Sequence, residues 1–207
     1  MDTRLERTAP MDIERRSFEI IESELPHAIN EKYAPIIKRV IHTTADFEYV
    51  DTLCFSSGVV EAHEAIRRGI TIVTDTTMAM SGINKRVLAG YGGSVKCFIA
   101  DEDVAEAARR NGTTRSAESM EKAAAMEGSV IFAIGNAPTA LIKLHDMILE
   151  KRISPALVIG VPVGFVNVVQ SKELIMETDV PYIVARGRKG GSNVAAAICN
   201  ALIYMLD

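Results

Sequence analysis

From residue 70 onward, short apolar runs alternate with helical patterns, and this alternation restricts the fold more than any other feature of the chain. The runs occupy 70–75, 95–100, 130–135, 156–161 and 182–185, each leading into a turn that bears glycine or aspartate. None shows strict polar alternation, as expected of parallel strands buried on both faces. Between them lie amphipathic segments near 77–89, 102–110, 114–127, 138–151 and 168–177, and a last helix is predicted over 192–206. Strand–helix–strand repeats of this kind build right-handed crossovers. The expected fold is α/β: a doubly wound, mainly parallel five-stranded sheet flanked by helices, preceded by a helical N-terminal segment over 1–69. With 207 residues, the chain is read as one domain spanning 1–207, large enough to bury a core without disulfides or metal.

Charge narrows the function. The net charge of −4 argues against a nucleic-acid binder, which would need an extended basic face. Cys54, Cys97 and Cys199 are odd in number, far apart and set among apolar neighbours, as free thiols of a reducing compartment are. The chain contains no CxxC or HExxH pattern, so no protein-held metal is expected. Met1 to Arg7 is charged and lacks the apolar core of a signal peptide. No apolar run reaches the roughly 18 residues of a membrane span. A cytoplasmic protein without membrane contact is the expectation.

Open α/β sheets bind ligands beyond the carboxyl ends of their strands. The post-strand loop Arg186-Gly187-Arg188-Lys189-Gly190-Gly191-Ser192 puts three cations and three glycines there, directly before the last helix. Glycines admit close approach of a ligand, and a helix start offers unpaired N–H groups to anions. No loop matches GxGxxG, GxxxxGK[ST] or GxSxG, so a nucleotide or acyl-transfer fingerprint is missing. Gly135, Gly160, Gly164 and Gly187 are equally well read as plain turn residues. The apolar last helix belongs in a core or in a homodimer interface.

Four histidines are present. His63 and His145 read as solvated helix positions, and His27 as a turn residue. His42 ends the amphipathic segment 35–41, where the negative end of the helix dipole favours a cation. Thr43, Thr44 and Asp46 follow and could orient its ring, an arrangement suited to a general acid. Ser17 is spaced to face inward between Ile13 and Ile20, and a small serine bonded to the preceding turn is the plainer reading. Arg15 and Arg16 beside it read as solvated charges. Arg115 stands at a helix start, where a cation is easier to understand if it meets an anion. Asp75 reads as a cap for the helix after it.

These residues fall within longer motifs. They are Ile13-Glu14-Arg15-Arg16-Ser17-Phe18, the stretch Arg39-Val40-Ile41-His42-Thr43-Thr44-Ala45-Asp46-Phe47-Glu48, and Thr113-Thr114-Arg115-Ser116-Ala117. Further on come Ile134-Gly135-Asn136-Ala137-Pro138-Thr139-Ala140-Leu141, Val161-Pro162-Val163-Gly164-Phe165-Val166, Gln170-Ser171-Lys172-Glu173 and the 187–192 loop. On these motifs the chain resembles the precorrin-8X methylmutase family of cobalamin biosynthesis. Asn167 stands where that pattern more usually has small glycine- or alanine-rich sequence.

The resemblance implies a homodimeric α/β isomerase that moves a methyl group from C-11 to C-12 of a corrin precursor without an external cofactor. Any cobalt belongs to the substrate. It implies that His42 is the catalytic proton donor and acceptor and that Ser17 and Arg39 contact substrate. The His42–Phe47 stretch and Lys189 look more like the branch acting on cobalt-precorrin-8 than the one acting on metal-free precorrin-8X. That tetrapyrrole partner carries several carboxylates, which suits Arg15, Arg115, Arg188 and Lys189, with Thr43, Gly190, Gly191 and Ser192 completing the expected site. A non-catalytic corrinoid carrier and a nucleotide-dependent enzyme using the glycine loop as a phosphate cradle are the alternatives.

Overall fold

The structure, a computed structural model, describes residue 9 and residues 12–206; the side chain of Val60 is not described. The stretch Met1 to Arg7, read above for a targeting signal, lies outside the described residues. Two helices come first, α1 (Ile13–Glu24) and α2 (Ala34–Thr44), then the single turn α3 (Tyr49–Thr52), strand β1 (Leu53–Phe55) and α4 (Val59–Arg67). The repeating part follows as β2 (Thr71–Thr74), α5 (Thr77–Gly82), α6 (Lys85–Gly90), β3 (Ser94–Lys96), α7 (Glu102–Asn111) and α8 (Arg115–Ala124). It continues through β4 (Val130–Ile134), α9 (Pro138–Leu149), β5 (Leu157–Gly160), α10 (Val168–Met176), β6 (Tyr182–Ala185) and α11 (Ser192–Tyr204).

The sheet has six strands in the order β1-β6-β5-β4-β2-β3, not the five expected. The five strands from β2 to β6 pair in parallel, as expected. The additional strand, β1, is three residues long and runs antiparallel to β6, with Cys54 opposite Val184. So short a strand leaves no periodicity to read. The predicted 95–100 strand is also cut back, to Ser94–Lys96. β3 pairs only with β2, and the chain leaves that edge in a turn closed by Asp101 N–H on the Phe98 carbonyl.

Each central strand feeds two cores. Ile131 and Ala133 of β4 face the core shared by α2, α4, α5 and α11, whereas Val130, Phe132 and Ile134 face the core under α8, α9 and α10. Period-two geometry is kept, but both sides are apolar. α11 is buried on nearly every face within this one chain, against α2, α5 and the sheet. Its composition is therefore explained by the core, the first of the two placements expected for it. Among the described residues no helix is long and apolar enough to cross a membrane.

From β2 the chain steps outward to β3, and from β4 it proceeds the other way through β5 to β6. The reversal lies between the adjacent strands β2 and β4. In open α/β sheets ligands bind at the carboxyl ends of the strands beside such a reversal.

Candidate active site

Asp75, the residue after β2, lies in that reversal. Only 1% of it is exposed. Its carboxylate accepts backbone N–H groups from Gly135 at 2.9 Å, Asn136 at 2.8 Å and Ala137 at 2.7 Å. Asp75 thus ties β2 to the turn that opens α9, rather than capping its own helix. The cap of α5 is Thr76, whose hydroxyl accepts the Ala79 N–H. Burial pushes the Asp75 carboxyl up from its ordinary range, and the three N–H donors work against that rise.

The rim continues on both sides. Thr76 and Ser192 share a hydroxyl hydrogen bond of 2.7 Å, which joins the start of α5 to the start of α11. Thr114 and Thr139 share another of 2.8 Å, joining α8 to α9. Beside Thr114, Arg115 opens α8 as an exposed cation without an ion-pair partner among the described residues. Gly135 approaches so close that a Cβ there would lie 2.7 Å from the Ser192 Cα. Arg115, Asn136, Thr76 and Ser192 therefore share one edge of the sheet.

The basic loop closes this edge. Gly187, Gly190 and Gly191 all take positive φ, at 83°, 156° and 137°. A Cβ at Gly190 would fall 2.1 Å from the Val161 carbonyl oxygen, so the loop packs against the post-β5 segment as only glycine permits. Gly191 donates its N–H to Val161 at 2.8 Å, and Gly164 donates to Arg188 at 3.1 Å. Arg188 reaches out over the ring of Phe165, 5.5 Å from its centroid. Phe165 and Val166 are 82% and 78% exposed, an apolar flap beside the cation. Asn167, at φ 57°, turns the chain from this flap into α10, a conformation asparagine tolerates better than most residues.

Lys189 points the other way. Its ammonium meets Asp46 at 2.6 Å and Glu48 at 2.9 Å, just past the end of α2. That contact lowers the Asp46 pKa and raises that of Lys189. The cation expected to be open to ligand is thus already paired, and it fastens the loop to the turn that follows His42. α2 and α11 run side by side in opposite directions, because Arg39 of α2 lies near Tyr204 at the far end of α11. His42 is accordingly brought to the same edge as the strand carboxyl ends.

His42 lies in the last turn of α2 and is exposed. Its ring stacks on Phe18 of α1, centroids 5.3 Å apart and planes 19° apart. The neighbours expected to orient it are occupied elsewhere: Thr43 bonds the Arg39 carbonyl, Thr44 bonds Val40, and Asp46 holds Lys189. An aromatic face positions this ring instead, and both nitrogens remain without a protein hydrogen bond among the described residues. Arg39, one turn back, lies 4.9 Å over the same Phe18 ring and pairs with Glu14. Phe18 is therefore the hub of the α1–α2 face, a role its apolar side chain gave no reason to assign. Ser17 bonds the Ile13 carbonyl at 2.9 Å and is half-buried, with Ile13 exposed beside it; the inward stripe is not formed. Arg15 is engaged with Asp12 and Glu19 on its own helix.

The other histidines stay apart from this edge. His27 pairs with Asp51, and His145 contacts Asp146. His63 is half-buried, not solvated; its Nε2 has no hydrogen-bond partner, and burial lowers its pKa. Of the cysteines only Cys199 is buried, its thiol pushed up to about 12, while Cys54 and Cys97 are half-buried.

Lys172 of α10 was not singled out from sequence as a site residue. It is fully buried, and its ammonium donates to the Gly187 and Lys189 carbonyls, both at 2.8 Å. Burial without a carboxylate partner lowers its pKa to about 8.

Comparison with known proteins places this arrangement. The family model for precorrin-8X methylmutase matches residues 12–205. The cobalt-precorrin-8 methylmutase of Salmonella typhimurium is 48% identical, over 95% of this chain and 96% of that one. The enzyme of the same name from Priestia megaterium is 46% identical, over 96% of this chain and 89% of its own. The crystal structure of precorrin-8X methylmutase from Thermus thermophilus superposes with a TM-score of 0.84 at 40% identity, covering 94% of this chain and 96% of that one. On these similarities the chain belongs to the precorrin-8X methylmutase family of isomerases.

Proposed function

We propose that this protein converts cobalt-precorrin-8 to cobyrinate by moving a methyl group from C-11 to C-12, with His42 as the general acid. The observation that carries this reading is the placement of His42: exposed, stacked on Phe18, with neither ring nitrogen hydrogen-bonded among the described residues, at the edge that also carries Arg115 and Arg188. A ring nitrogen without a protein partner is available to a substrate proton. The migration is intramolecular, so neither a nucleophile nor a redox centre is required of the protein. Protonating the macrocycle makes it electron-poor and favours the shift, and the imidazole recovers a proton as the product tautomer forms. General acid catalysis of this kind supplies about 10²–10⁴-fold.

Binding is assigned to the cations. Arg115 and Arg188 have no ion-pair partner among the described residues and are suited to peripheral carboxylates of the substrate. Arg39 is committed to Phe18, Tyr204 and Glu14, so it serves the site by fixing the Phe18 platform as well as by any contact to substrate. Ser17, Thr43 and Ser192, and the backbone at Gly190 and Gly191, line the approaches, whereas Arg15 and Lys189 must exchange carboxylate partners to take part. Cobalt enters and leaves with the substrate. The similarity to the Salmonella and Priestia enzymes supports the cobalt-bearing substrate over the metal-free one. A homodimer in the cytoplasm completes the reading, supported by exposed Ile13 and Ile20 on α1.

The test is direct. Purified protein incubated with cobalt-precorrin-8 converts it, followed by the visible spectrum, and His42→Ala abolishes turnover while the static spectral shift of binding persists. Near-normal turnover by that variant removes His42 from the reaction. Binding without conversion by the wild type identifies a carrier, and faster conversion of precorrin-8X identifies the metal-free branch.

A further inference from the structure

We propose that Lys172 is a positioning residue whose buried ammonium holds the 186–191 loop with its backbone N–H groups and Arg188 turned toward substrate. The proposal rests on the reading that this loop binds an anionic tetrapyrrole. Lys172 is 0% exposed and meets no carboxylate among the described residues. A buried cation without a counter-charge is costly, and a methionine of similar length would fill the space without that cost. What the ammonium does hold is the loop backbone: the carbonyls of Gly187 and Lys189, each at 2.8 Å. The carbonyl between them, Arg188, is taken by the Gly164 N–H at 3.1 Å.

Three consecutive carbonyls are therefore drawn to the protein side. In a planar trans peptide the N–H points opposite the C=O. The N–H groups of Arg188 and Gly190, which share peptides with the two carbonyls held by Lys172, consequently point away from it, and neither has an acceptor among the described residues. These two outward N–H groups are suited to an anionic oxygen, with the Arg188 guanidinium beside them. The positive φ of Gly187 and Gly190 is the backbone signature of this turned loop. Glu173, next in sequence, fastens the other side of the loop through Arg186 at 3.0 and 3.2 Å. Two adjacent residues of α10 thus set the inner and outer faces of the anion-binding loop.

The loop offers its own probe, since trypsin cleaves after Arg186, Arg188 and Lys189. Limited proteolysis of wild type and Lys172→Met is compared by mass spectrometry at these bonds, alongside far-UV circular dichroism and steady-state kinetics with cobalt-precorrin-8. The expected result is loop cleavage faster by about tenfold or more, KM raised about tenfold, and kcat changed by less than about threefold, with helix content preserved. Lys172→Gln, which keeps two N–H donors on a shorter stem, should show the same changes at reduced size; it stands in if the methionine variant does not fold. Unchanged loop cleavage overturns the proposal, and so does faster cleavage with unchanged KM. If wild type binds the substrate without turning it over, the functional reading fails. The spectral Kd then replaces KM, and the Lys172 proposal still stands or falls on it.

Discussion

Asp75 brings a carboxylate to the reversal point of the sheet with no cation paired to it among the described residues. Its stabilisation comes from three backbone N–H groups, including those at the positive end of α9. Asp75→Asn keeps the size but turns an amide NH2 toward groups that can only donate. We expect a loss of about 3 kcal/mol, read as a lower urea midpoint at unchanged m. Lys172 makes the complementary test. Its folded pKa of about 8 lies below the ordinary 10.5. Below pH 8 both folded and unfolded states hold the proton, and the cost of burying the charge is present in full. Between about 8 and 10.5 the folded state releases its proton while the unfolded chain keeps it, so this group makes stability rise with pH. Relative to Lys172→Met, wild type should gain on the order of 2–3 kcal/mol across that window. A difference in unfolding free energy that stays flat from pH 7.5 to 10.5 would contradict it.

Among the elements, legibility follows the range of the interaction. The parallel strands are readable because burial on both faces leaves continuous apolar runs, and α7 to α11 because each carries a face or a cap within its own segment. β1 escapes because three residues carry no period, and its only reason to be a strand is β6, some 130 positions away. The same distinction separates the candidate site residues. His42, Arg115 and Arg188 announce themselves by residue type. The ties that place them do not: Asp75 to 135–137, Lys172 to the loop carbonyls and Lys189 to Asp46 all depend on chain segments brought together only by folding. Glycines of the basic loop lie between these cases, open to a ligand reading or a turning one. At Gly190 the packing decides in favour of close approach. Gly190→Ala would drive a Cβ onto the Val161 carbonyl oxygen and impose a strained φ of 156°. A loss of about 2–3 kcal/mol in thermal or urea unfolding is expected, with weakened substrate binding. A variant as stable as wild type would mean that the two loops are not packed as described.

Over the whole molecule, charge works at two distances. The chain carries a net −4, so from afar it repels an anionic macrocycle. Close to the rim, Arg115 and Arg188 have no ion-pair partner among the described residues, whereas Lys189 is neutralised by Asp46 and Glu48. Attraction is therefore local and supplied by few groups. Raising salt from about 50 mM to about 300 mM shortens the Debye length from about 14 Å to about 6 Å, which weakens contacts to carboxylates at an open rim far more than any step inside the macrocycle. KM for cobalt-precorrin-8 should rise about fivefold over that range while kcat stays nearly constant, because the proton transfer proposed for His42 adds no long-range charge interaction. Arg188→Gln should raise KM at low salt and flatten its dependence on salt. The same substitution at Arg186, which is already paired with Glu173, should leave the slope unchanged. Equal slopes in wild type and Arg188→Gln would show that substrate carboxylates do not meet this loop, and would move the binding role to Arg115 and the α1–α2 face.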